Sequence, residues 1–146
     1  MARTPLGLQL TRTSRVISQE FDRVMAEAGG SAAAWQVLLL VRSKQWGQQS
    51  EMAQAMGVTG ATLTHHLNAL ERQGLVRRWR EDSNRRVQRV ELTDDGVALF
   101  DRLRGVAMRH DKRLRSHLTA EEAEQLGALL EKLRAGVEDE AATPAA

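Results

Sequence analysis

A mainly α-helical chain with one small β-hairpin is the fold class that this sequence predicts, and three observations predict it. Apolar residues recur at spacings of three, four and seven over most of the 146 residues. One window, residues 75–93, changes to β-branched and aromatic residues around the turn-forming Asp82-Ser83-Asn84. Glycines at Gly29-Gly30, Gly57 and Gly74 end successive helical stretches. With 42% apolar and 27% charged residues the composition is that of one soluble domain, long enough to bury a core without covalent staples.

The elements follow in order. Leu6, Leu10, Ile17, Phe21, Val24 and Met25 form a helical stripe from about Pro5 to Ala28, stopped by Gly29-Gly30. Ser31 is a candidate N-cap for a second helix, whose apolar girth from Trp35 to Val41 is too wide for a surface helix and predicts the central buried element. Gly47 lies in the next connection, and Ser50–Met56 has the length of a short third helix. Thr59 can cap a fourth, Gly60 to about Gln73, with Leu63, Leu67 and Leu70 on one face. Two strands then flank the turn at 82–84. Thr93 caps a fifth helix with Asp94 and Asp95 in its first turn, and Thr119 with Glu122 forms a capping box for a sixth. Residues 138–146 have little to bury and are expected to be a disordered tail. No internal repeat and no linker divides the chain.

Charge is distributed unevenly. Between Arg72 and Val90 there are seven arginines against Glu81 and Asp82, one third of all basic residues, whereas the last stretch is acidic. A basic middle of this kind suggests a central polyanion site. Two short helices around a tight glycine turn, followed at once by a basic hairpin, form the pattern of a winged helix-turn-helix. The fourth helix carries Thr59, Gly60, Thr62, Thr64, His65 and Asn68 away from its leucine stripe, and no acid until Glu71. These short groups can approach base edges and phosphates closely. Arg85 and Arg86 at the hairpin tip suit the narrow, negative minor groove, and Arg77 and Arg78 suit phosphates.

At these residues the sequence resembles the MarR family of bacterial transcriptional regulators. The motifs that carry the resemblance are Leu70-Glu71-Arg72-Gln73-Gly74-Leu75-Val76, Asn84-Arg85-Arg86 and Leu92-Thr93-Asp94-Asp95-Gly96. Asn84 stands where the family usually has an aspartate that orients a wing arginine, so the charge-assisted part of that contact is lost. The resemblance implies a cytoplasmic homodimer that binds a pseudo-palindromic operator in double-stranded DNA, usually as a repressor and often released by a small-molecule effector. It also implies one domain over 1–146, with dimerisation helices at 5–30 and 94–137 around a DNA-binding winged helix-turn-helix at 31–93.

Other chemistries are poorly served. There is no cysteine, which removes disulfides, thiolate metal sites and thiol sensing together. No Gly-x-Ser-x-Gly, phosphate loop or His-Glu-x-x-His occurs, so no enzyme and no cofactor are expected. No stretch approaches the ~18 apolar residues of a membrane span, and no leader or membrane partner is expected. His110 and His117, seven apart, would share a face on a continuous helix, and a zinc-responsive regulator is one alternative. A winged-helix protein interaction module without specific DNA binding is another. His66, beside the leucine stripe, reads as a partly buried structural histidine. Trp35, Trp46 and Arg42 are candidates for an effector pocket, with Trp35 more simply a core residue.

Overall fold

A computed structural model describes residues 3–43 and 49–143. The elements are α1 (Leu6–Glu27), α2 (Ala32–Ser43), α3 (Gln49–Met56), α4 (Gly60–Arg72), β1 (Val76–Arg80), β2 (Gln88–Leu92), α5 (Asp94–Arg115) and α6 (Ala120–Ala142). Gly47 and Trp46 lie outside the described residues. Two compact units are distinguished, Met1–Ala107 and Met108–Ala146.

The caps are those the sequence supplies. Ser31 Oγ accepts from the Ala34 amide at 3.0 Å, Thr59 Oγ1 from the Thr62 amide at 3.1 Å and Thr93 Oγ1 from the Gly96 amide at 3.1 Å. Each satisfies one of the orphan amides of a first helical turn. At the end of α4, the Gly74 amide donates to Glu71 O at 3.0 Å and the Leu75 amide to Leu70 O at 2.9 Å. This closing motif needs a left-handed residue, and Gly74 supplies it with φ of 73°. Helices α1 and α3 end on the same hydrogen-bond pattern at Gly29-Gly30 and Gly57-Val58.

The core of the first unit gathers around α2. Val37, Leu38 and Val41 are buried with Met25 of α1, Leu63, Leu67 and Leu70 of α4, and Leu99, Phe100 and Leu103 of α5. The α2 girth is wider than the core uses, because Leu39 points away from it and stays exposed. Trp35 stacks on Phe100 with ring centroids 5.3 Å apart, and the Arg42 guanidinium lies 5.7 Å from the same ring. β1 and β2 pair antiparallel with Val76 opposite Leu92 and Arg78 opposite Val90. Gly96 starts α5 so close to the α4–β1 turn that a Cβ there would lie 2.0 Å from the Leu75 carbonyl oxygen.

In the second unit α5 ends at Arg115, and the capping box of α6 is complete: Thr119 Oγ1 accepts from the Glu122 amide at 3.1 Å while Glu122 Oε2 accepts from the Thr119 amide at 2.8 Å. Helix α6 buries none of its residues in this chain. The tail expected to be disordered from residue 138 is helical to Ala142. Arg134 reaches Glu138 one turn later at 2.9 Å, and the alanines that follow are the best helix formers. His110 and His117 do not share a helix face. His110 is on α5, but His117 lies in the turn beyond Arg115, where its amide donates to Leu114 O at 3.3 Å and Ser116 Oγ donates to Arg113 O at 2.6 Å. Among the described residues no group of three His, Asp or Glu side chains is placed to hold a metal ion, and no single helix is long and apolar enough to cross a membrane.

Candidate nucleic-acid interface

Helix α4 divides cleanly into two faces. Leu63, Leu67 and Leu70 are buried, and the burial fixes the helix against α2 and α3. The opposite side of its first two turns presents Gly60, Ala61, Thr62 and His65 to solvent. No carboxylate lies on this surface before Glu71, so a phosphate backbone meets no repulsion there.

The candidate residues differ in how free they are. Thr59 and Thr62 are exposed, but Thr59 Oγ1 is the helix cap and lies 2.9 Å from Thr62 Oγ1. Thr64 is half-buried and its Oγ1 accepts from Gln49 Nε2 at 2.7 Å, tying α4 to α3. That contact makes Thr64 a brace of the helix pair, and Gln49 is a participant that the sequence did not mark. Asn68 is half-buried, with its Oδ1 turned to Arg78. His65 is exposed, whereas the adjacent His66 is half-buried and lines a small cavity with Gly30, Ala34, Ala69 and Leu99.

The arginines of the hairpin also separate. Arg85 and Arg86 are exposed at the tip, and neither side chain meets a carboxylate among the described residues. The tip is shaped from within: Asn84 Oδ1 accepts from the Arg86 amide at 3.2 Å, and Arg80 Nη1 donates to Arg85 O at 2.9 Å. Asn84 therefore holds the turn backbone and does not orient an arginine side chain. Arg77 is exposed and pairs with Glu91, its neighbour across the strands. Arg89 donates to Glu81 at 2.6 Å.

Arg78 departs from the phosphate role that its place in the basic run suggests. Its side chain is 12% exposed and bonds Glu71 and Asn68 of α4. Strand alternation was the available signal, because residues 76 and 78 share a face and Val76 is buried. The Arg78 hydrogen bond holds the Glu71 carboxyl below the ordinary carboxylate range.

A cavity of about 360 Å³ lies between the end of α2, α3 and the sheet, lined by Val41, Arg42, Met52, Trp79, Val90 and Leu92 among others. Arg42 thus belongs to a cavity wall, while Trp35 is committed to its stack on Phe100.

Comparison with known proteins places the chain as follows. A family model described as MarR family matches residues 31–87. The HTH-type transcriptional regulator PecS of Dickeya dadantii is 30% identical over 124 residues, which is 83% of this chain and 75% of PecS. The transcriptional repressor CouR bound to a 23-mer DNA duplex is similar in structure, with a TM-score of 0.81 at 31% identity over 89% of this chain and 92% of that one. CouR bound to p-coumaroyl-CoA matches with a TM-score of 0.78 at 28% identity. The S. aureus MepR–DNA complex has the same fold, with a TM-score of 0.84 at 24% identity over 92% of this chain and 99% of that one.

Proposed function

Since this chain belongs to the MarR family, we propose that it is a transcriptional repressor that binds a pseudo-palindromic operator in double-stranded DNA as a homodimer. The observation that carries this reading is the pairing of an acid-free, exposed α4 surface with the tip arginines Arg85 and Arg86. Gly60, Thr62 and His65 serve the major groove, with Thr59 and Asn68 beside them, and Arg85 with Arg86 enters the minor groove. Arg77, exposed and only cross-strand paired, adds phosphate contact.

Residues 31–93 form the DNA-binding region in this reading, and helices within 5–30 and 94–137 supply the dimer. The exposed Leu6, Val16 and Ile17 of α1 and Leu129, Leu130 and Leu133 of α6 support that division, because apolar surface of this extent favours a second copy as cover. Release by a small-molecule effector belongs to the same reading, as CouR is seen with both a DNA duplex and a coenzyme A thioester.

The test is selection of binding sites from random duplexes, with the mass of the free protein measured in parallel. A two-fold motif with half-sites about one helical turn apart is expected. Arg85→Ala and Arg86→Ala should each weaken operator binding by about 1–3 kcal/mol and leave dimer mass and melting unchanged. Full affinity in both variants removes the wing tip from the mechanism. Equal binding of any duplex, seen at low salt only, would replace the operator reading by general phosphate affinity.

A further inference from the structure

Among the arginines between residues 72 and 90, Arg78 is turned inward. From the middle of β1 its Nη2 donates to Asn68 Oδ1 and, at 3.2 Å, to Glu71 Oε1, while its Nε lies 3.4 Å from Glu71 Oε2. Asn68 and Glu71 are three residues apart, on one side of α4, so a single planar fork spans both. A guanidinium has five donors and no acceptor, and the Asn68 amide atom facing it is therefore the oxygen. This turns the two Nδ2 donors of Asn68 away from Arg78. Glu71 is the first acid on a helix otherwise free of them, and a carboxylate near phosphates needs a compensating role.

We propose that Glu71, Arg78 and Asn68 form a positioning device that sets operator specificity. Arg78 ties the wing strand to α4, takes up one lone pair of Asn68 Oδ1, and leaves the Nδ2 donors as the free edge of the Asn68 amide. Asn68 then reads a base acceptor in the major groove, such as guanine O6 or N7. The two-bond adenine contact common for asparagine needs Oδ1 turned to the adenine amino group, and that competes with the hold Arg78 has on the same oxygen. This inference rests on the DNA-binding reading above and adds two residues, Glu71 and Arg78, whose role is to orient Asn68.

The experiment compares wild-type, Glu71→Gln, Arg78→Lys and Arg78→Gln proteins, all full length, on the selected operator and on a scrambled duplex across a range of salt. Removing an acid near DNA should tighten binding if only net charge mattered. The device predicts the opposite sign: Glu71→Gln weakens operator binding roughly tenfold, the size of one charge-assisted contact, and leaves scrambled binding equal or tighter. Arg78→Lys keeps the charge but cannot hold both partners in one plane, so it should lose operator preference as Arg78→Gln does. Repeat selection with Arg78→Lys should blur the base position read by Asn68 and keep the others.

Glu71→Gln binding the operator as tightly as wild type, or more tightly, overturns the proposal. So does an Arg78→Lys protein with wild-type preference beside an Arg78→Gln protein that weakens all duplexes alike and lowers the salt slope by about one, since that marks a phosphate contact. A loss spread evenly over every base position, with lowered melting, assigns the three residues to folding and overturns it too. A wild-type protein that selects no motif overturns the DNA-binding reading and this inference with it.

Discussion

Residues Met1–Ala107 and Met108–Ala146 are both largely helical, but different forces hold their helices. Every buried apolar side chain among the described residues lies between Met25 and Leu103, in the first unit. In the second, α6 buries nothing and is supported locally, by its capping box and by Arg134 bridging Glu131 and Glu138 along the surface. Exposed pairs of that kind add little each, and in proteins most helical stability comes from packing of an apolar face. Its stripe of Leu126, Leu129, Leu130, Leu133 and Val137 is apolar and uncovered. The first half of α1, with Leu6, Leu8 and Val16 exposed, behaves like α6 and unlike its own end at Met25. The difference teaches that the winged region folds on its own chain's burial, while the terminal helices leave apolar surface uncovered in the single chain, the surface that the proposed dimer would bury.

Two glycines test this contrast most severely. A Cβ at Gly96 meets the Leu75 carbonyl oxygen at 2.0 Å, and that turn is also pinned by Thr93, whose amide donates to Leu75 O at 3.1 Å and whose Oγ1 donates to Gly74 O at 2.5 Å. Backbone held on both sides has no room to yield. Gly96→Ala should cost more than about 4 kcal/mol in denaturant unfolding, or prevent folding. Gly127 in α6 has nothing within 4 Å of the same position, and Gly127→Ala should gain up to about 1 kcal/mol in helix stability. Similar losses at both sites would break the distinction between the units.

Two leucines sharpen it. Leu67 is fully buried, and Leu67→Ala should lose about 2–5 kcal/mol of stability. Leu130 is 44% exposed in the single chain. Leu130→Asp should instead leave the winged region folded and shift the protein to monomer, read as lower mass in solution and a melting temperature that no longer rises with protein concentration. A Leu130→Asp dimer of wild-type affinity would show that α6 is not the cover the apolar stripe calls for.

Much of this architecture is legible in the sequence because its signals are local. Thr59, Thr93 and Thr119 cap the helices they precede, and the glycines stop the helices they follow. The hairpin appears where the apolar period changes. Pairings between elements are less legible. Arg78 reads as one more cation in a basic run, yet its partners are ten and seven residues earlier on another element. Thr64 reads as a base contact until Gln49 is found across the turn. The last turns of α6 are not legible in the sequence, because low apolar content marks only the absence of a core, and an alanine-rich helix stitched by Arg134 and Glu138 persists without one. His117 is the reverse case, because helical spacing from His110 does not continue past the end of α5 at Arg115.

The smallest effect concerns two threonine caps. Thr59 and Thr119 each accept from the amide three residues on at 3.1 Å, and both are exposed. Either substitution to Ala removes one capping bond, worth about 1 kcal/mol. What differs is where the loss should be felt. The turn opened by Thr59 leads directly into buried Leu63, so Thr59→Ala should lower the cooperative melting of the winged region as a whole. Thr119 begins a helix with no buried residue in its own chain, so in the monomeric Leu130→Asp background Thr119→Ala should speed amide exchange over residues 120–123 and leave the main melting transition in place. In the dimer the same substitution should reach the main transition, because burial against a partner makes the end of α6 part of the cooperative unit. Equal responses to Thr119→Ala in monomer and dimer would mean that α6 frays independently of any partner, and the contrast between the two units would then be one of local helix stability alone.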